Sequence, residues 1–71
     1  MKLSKFVKQQ RKLYGMTQQE LSDRAGVGLR FVREVERGKL TLRMDKINIL
    51  LELFGHELVP APIVEEETED A

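Results

Sequence analysis

The sequence has no cysteine and no tryptophan, one histidine, one tyrosine and two prolines among its 71 residues. Without cysteine there is neither a disulfide nor a thiolate metal site, and the absence fits a reducing compartment. His56 is the lone imidazole, and no glycine-rich phosphate loop is present, so no nucleophile stands with a base. The acids at the end of the chain lack the spacing of a metal site. The chain is therefore expected not to be an enzyme and to need no metal or other cofactor. No apolar run approaches the roughly 18 residues of a membrane span, and "MKLSKFVKQQRK" lacks the hydrophobic stretch of a secretory signal. A cytoplasmic protein with no membrane contact is the expectation. A core this small is marginal alone, which makes self-association the natural support.

The formal net charge of zero conceals a segregation. Residues 1–60 hold all 12 Lys and Arg against seven acids, a balance of +5, and the other five acids fall in "EEETED". A basic body of this kind suits a polyanion, with an acidic tail that has a separate role.

Apolar positions Leu3, Phe6, Val7 and Tyr14 with Lys and Arg between them predict a first helix over 3–14, ended by Gly15. Thr17 and Glu20 have the spacing of a capping box, and Met16 and Leu21 flank it as a hydrophobic staple, so a second helix runs from about Gln18 to Ala25. Gly26 supplies a tight turn. A third helix follows from about Leu29 to Arg37, with Val27 and Val32 at the staple spacing and Gly38 as its stop. Thr41 opens a fourth, in which Ile47, Leu50, Leu51 and Phe54 form one core face and Ile49 and Leu53 a second apolar stripe. "HELVP" reads as a short extended segment bounded by Pro60. From about Glu65 there is nothing to bury, and disorder is expected. The fold class is all-α: a four-helix domain containing a helix-turn-helix over residues 1–60 with a short C-terminal β-strand, then an acidic disordered tail over 61–71.

Two short helices joined at a glycine form the unit whose second helix enters the DNA major groove. Val32 and Val35 satisfy its need for inward apolar residues, and Ser22 offers the small residue where the helices cross. Outward on the third helix stand Leu29, Arg30, Arg33 and Arg37. Guanine O6 and N7 suit Arg, and thymine methyls suit an apolar side chain, so this face has the chemistry to read bases. Glu34 would lie beside it, either accepting from a cytosine or solvated.

"TQQELSDRAGVGLRFVREVERGK" resembles the Cro/Xre-type helix-turn-helix of phage and bacterial repressors, with its Thr-Gln-x-Glu-Leu opening, Ala-Gly-Val turn and terminal Glu-x-Gly. The resemblance covers about residues 3–54. It implies that Gly28, Leu29, Arg30 and Arg33 contact bases, that Gln18, Arg37 and Lys39 contact phosphates, and that Arg11 and Glu36 form a partly buried structural salt bridge. Gly28 departs from the polar residue common at the head of the recognition helix, which weakens the cap slightly.

"LTLRMDKINILLELFGHELVP" resembles the end of HipB-type antitoxins, where a fourth helix is followed by a strand that pairs with its copy in a second chain. The implied partners are an inverted-repeat operator in double-stranded DNA, a second copy of the chain and a HipA-like kinase toxin. The homodimer interface would comprise Ile49, Leu53, Leu58 and Val59, an apolar set with no internal partner. A free-standing Xre-type regulator with no toxin is the alternative, and a purely protein-binding module the rival from another class.

Overall fold

The computed structural model describes residues 2–63, which form four helices: α1 (Lys2–Leu13), α2 (Gln18–Ala25), α3 (Leu29–Glu36) and α4 (Met44–Glu52). The architecture is the expected all-α one. The acidic run of the expected tail lies outside the described residues.

Arg11 and Lys12 stand in the last turn of α1, where cations complement the helix dipole. The helix closes with Gly15 N–H on the Lys12 carbonyl and Met16 N–H on the Arg11 carbonyl, both at 3.0 Å, the paired bonds that satisfy carbonyls left open at a helix end. Met16 is thereby delivered into the core. α2 starts at a complete capping box: Thr17 Oγ1 accepts from Glu20 N at 3.1 Å, and Thr17 N donates to Glu20 Oε1 at 2.8 Å. Gly26 then turns the chain at φ +74, and its N–H donates to the Ser22 carbonyl at 2.9 Å. A side chain at this φ would be strained, so the tight entry into α3 depends on glycine.

The fourth helix begins two residues later than a cap at Thr41 would place it. Residues 41–43 carry no helical structure, and Arg43 is the N-cap, with extended backbone at φ −76 and ψ 124. Leu42 packs against the core from this extended segment. The start of α4 is organised by Asp45 instead, whose Oδ1 accepts the Lys46 N–H at 2.9 Å.

α3 packs on both α1 and α2. The core comprises Val7, Met16, Leu21, Val32, Val35, Ile47, Leu50, Leu51 and Phe54, with Leu3, Phe6, Val27, Phe31, Leu42 and Leu58 against its margin. All four positions of the apolar face expected on the fourth helix are buried. Residues 56–63 have no regular secondary structure. The strand expected at 56–60 is one that pairs with a second chain, and a single protomer offers it no ladder. The segment is tied down at its start by His56 N–H on the Leu51 carbonyl at 3.0 Å and then by Leu58 N–H on Asn48 Oδ1 at 2.9 Å. No helix among the described residues is long and apolar enough to cross a membrane.

Candidate nucleic-acid interface

α3 has one face committed to the interior and one left to solvent. Val32 and Val35 are fully buried and Glu36 is buried beside them. On the other side Arg30, Arg33 and Arg37 are exposed and Leu29 is half-buried. Gly28, at the head of the helix, has an ordinary backbone conformation and open space above its Cα. It can contribute only main chain to any contact, and nothing obstructs close approach there. Arg37 stands as the C-cap, its N–H on the Arg33 carbonyl at 3.0 Å.

The orientation of α3 is fixed from behind. Arg11 Nε donates to Glu36 Oε2 at 2.7 Å and its Nη2 to Oε1 at 3.1 Å. The third nitrogen of the same guanidinium, Nη1, donates to the Met16 carbonyl at 2.9 Å. Gln18 Nε2 completes the group by donating to Glu36 Oε1 at 3.1 Å. The Glu36 side chain is 2% exposed and that of Arg11 13%, so the pair lies in a medium where a two-pronged, charge-assisted contact is strong and specific. One carboxylate near the end of α3 thus ties together the end of α1, the turn after it and the head of α2. The Gln18 amide faces this carboxylate, a partner that sequence spacing alone does not disclose.

A groove of about 490 Å³ opens between α3 and the start of α4. Arg30, Lys39, Arg43 and Lys46 line it around a single carboxylate, Glu34. Arg30 Nε lies 3.4 Å from Glu34 Oε2, and Lys39 Nζ lies 3.5 Å from Oε1. Glu34 thus stands between two cations, its side chain 17% exposed. Lys46 Nζ stands 5.8 Å from the centre of the Phe31 ring, a cation–π distance. Arg43 and Lys46 were not singled out by the sequence reading. Their signal was present as cations just beyond the recognition helix, and the fold places them in the groove beside Arg30 and Lys39.

A second surface lies away from this groove along the chain. Ile49 is 44% exposed, Leu53 36% and Val59 66%, while Leu58 is half-buried against the core. Among the described residues, nothing covers Ile49, Leu53 and Val59 fully. Phe6 packs edge-on to His56 with ring centres 4.8 Å apart, and His56 Nδ1 lies 2.7 Å from the Phe54 carbonyl oxygen. His56 is thus held at the helix end beside an aromatic ring.

Compared with known protein families, residues 7–58 match the model of a family described as helix-turn-helix. The matched span contains α2, α3 and α4 entire, most of α1 and the segment as far as Leu58. Neither a curated protein nor a solved structure matches the chain.

Proposed function

Because the chain belongs to the Cro/C1-type helix-turn-helix family, whose domain makes it a DNA-binding transcriptional regulator, we propose that it is a homodimeric repressor reading an inverted repeat through α3. The observation that carries this reading is the division of α3: an inward side locked by Val32, Val35 and the Arg11–Glu36 pair, and an outward side of Arg30, Arg33 and Arg37. Arg30, Arg33 and Leu29 meet base edges, with Gly28 admitting close approach of the main chain. Gln18, Arg37 and Lys39 hold phosphates and fix the register.

The dimer reading is supported by the exposure of Ile49, Leu53 and Val59 in a 71-residue chain with a small core. Pairing through α4 and the segment from His56 to Pro60 would relate two recognition helices by a two-fold axis. Half-sites would then be spaced by about 34 Å or a multiple of it. A two-stranded ribbon is marginal by itself, so the paired segments must rest on the helices. Leu58, packed at the core margin and bonded to Asn48, provides that footing.

The resemblance of "LTLRMDKINILLELFGHELVP" to the end of HipB-type antitoxins supports a second role: binding a HipA-like kinase toxin while repressing the operon that encodes both. In this reading the protein acts in the cytoplasm. The experiment has two arms. Selection of duplexes from a random pool by the purified chain should enrich an inverted repeat whose affinity falls steeply with salt. Co-expression with the product of a neighbouring kinase-like reading frame should yield a complex and relieve toxicity. An enriched repeat without any toxin partner returns the protein to a free-standing Xre-type regulator, and failure to enrich any sequence overturns the repressor reading.

A further inference from the structure

Glu34 occupies a position that helix stability does not explain. Arg30 lies in the first turn of α3 and Glu34 in its last, so each charge stands at the end of the dipole that disfavours it. The order Arg then Glu at i, i+4 is also the weaker orientation of such a pair. The second cation, Lys39, arrives by backbone geometry. Gly38 at φ +83 closes α3 so that Lys39 N–H donates to the Glu34 carbonyl at 3.1 Å, and the lysine side chain folds back to the same residue's carboxylate. The Glu34 side chain is 17% exposed between an Arg30 side chain that is 91% exposed and a Lys39 side chain that is 47% exposed. Its contacts of 3.4 and 3.5 Å are loose beside the 2.7 Å of Arg11 to Glu36. Glu36 is built into the fold; Glu34 is a carboxylate placed among the very cations that meet DNA.

We propose that Glu34 is a selectivity residue: an internal counterion that withholds Arg30 and Lys39 from the phosphates of random DNA and supports Arg30 when it reaches a base. The inference rests on the DNA-reading role of α3. Random DNA is held through phosphates alone, and that mode needs cations free to follow the backbone. A carboxylate already paired with two of them weakens it by occupying them, while its direct repulsion of phosphate falls on both kinds of site alike. At a matched site the balance differs, because Arg30 is required at a base edge in one orientation. Glu34, four residues along the same helix, narrows the orientations Arg30 samples. The carboxylate therefore costs affinity on random DNA and little on the matched site.

The test uses the full chain, a duplex selected from a random pool by the parent protein, and a scrambled duplex of the same composition. Glu34→Gln keeps the shape and removes the charge. It should tighten binding to the scrambled duplex by about two- to fivefold and shift the selected duplex by less than about 1.5-fold, the range that loose surface pairs command. The salt slope on the scrambled duplex should steepen by about one unit as a cation is released to the phosphates. Glu52→Gln, the same charge change on exposed α4, should move both duplexes by one common factor. In a chain carrying Arg30→Ala and Lys39→Met, adding Glu34→Gln should leave the ratio between duplexes unchanged. Equal shifts on both duplexes for Glu34→Gln, matching those of Glu52→Gln, would overturn the proposal. So would loss of the fold in Glu34→Gln, which would make the carboxylate structural. A parent chain with no salt-dependent DNA binding is a separate result, which would overturn the DNA-reading role itself.

Discussion

Gln18 at the head of α2 donates its side-chain amide to Glu36 at the end of α3 across 3.1 Å. The bond means that the residue assigned to a phosphate is oriented by the same carboxylate that fixes the recognition helix. One N–H of the amide serves Glu36, and on the proposed function the other serves the phosphate. Gln18→Ala should therefore weaken the selected and scrambled duplexes by a similar factor and lower stability by about 1.5–3 kcal/mol, the net worth of a hydrogen bond to a charged group. Fluorescence-anisotropy titration and urea unfolding of one preparation check both halves. A loss confined to the selected duplex would assign Gln18 to base reading instead.

Removing Glu36 is a different matter. Its side chain is 2% exposed, and Arg11 would be left facing a cavity with its charge uncompensated. Glu36→Ala should cost about 3–5 kcal/mol, a large share of the roughly 5–15 kcal/mol that holds a domain folded. The urea midpoint should fall sharply or the chain should be unfolded in buffer. An unchanged midpoint would show that the pair contributes nothing to the fold.

Much of this framework was legible in the sequence because it is local. The capping box of Thr17 and Glu20, the staple of Met16 and Leu21 and the glycine at 26 define α2 to the residue, and the i, i+3, i+4, i+7 pattern of Ile47, Leu50, Leu51 and Phe54 marks the core face of α4. Thr41 misled because a capping residue type is not a cap unless the chain enters the helix there. Leu42 instead anchors an extended segment, and the start of α4 moves to Met44. The groove was not legible for a related reason. Lys39 meets Glu34 only through the left-handed turn at Gly38, and Lys46 meets Phe31 only once α4 is folded back on the domain.

Self-association should depend on the exposed stripe of α4. Ile49→Glu and Val59→Glu each place a charge where a two-fold mate would bury an apolar side chain, and desolvating it unpaired is unfavourable. Since both positions are exposed in the protomer, the monomer fold should survive. Sedimentation velocity at low micromolar concentration should show a dimer for the parent and a monomer for the variants. Variants that sediment with the parent would place the interface elsewhere.

Asp45 provides a pH signature for the entry to α4. Its carboxylate receives Arg43 Nη2 at 2.7 Å and Nε at 3.2 Å, and the guanidinium holds its pKa below the ordinary Asp range. Because the folded value is lower than the unfolded one of about 3.9, the associated stability is fully present above that pH. It is lost as pH falls through the folded value. Carboxyl-carbon NMR should give Asp45 a depressed midpoint, and Arg43→Ala should return it towards the ordinary one. A parent midpoint at or above the ordinary value would mean that the contact does not persist in solution.

On the proposed function α3 reads bases with Arg30 and Arg33 while Arg37 holds the backbone, and equilibrium binding to the selected and scrambled duplexes at two salt concentrations separates the two roles. Arg30→Ala and Arg33→Ala should each cost about 1–3 kcal/mol on the selected duplex and far less on the scrambled one. Arg37→Ala should weaken both alike and make the salt dependence shallower by about one unit. If all three substitutions weaken the two duplexes by the same factor, α3 is a cationic surface without sequence readout, and the central claim is contradicted.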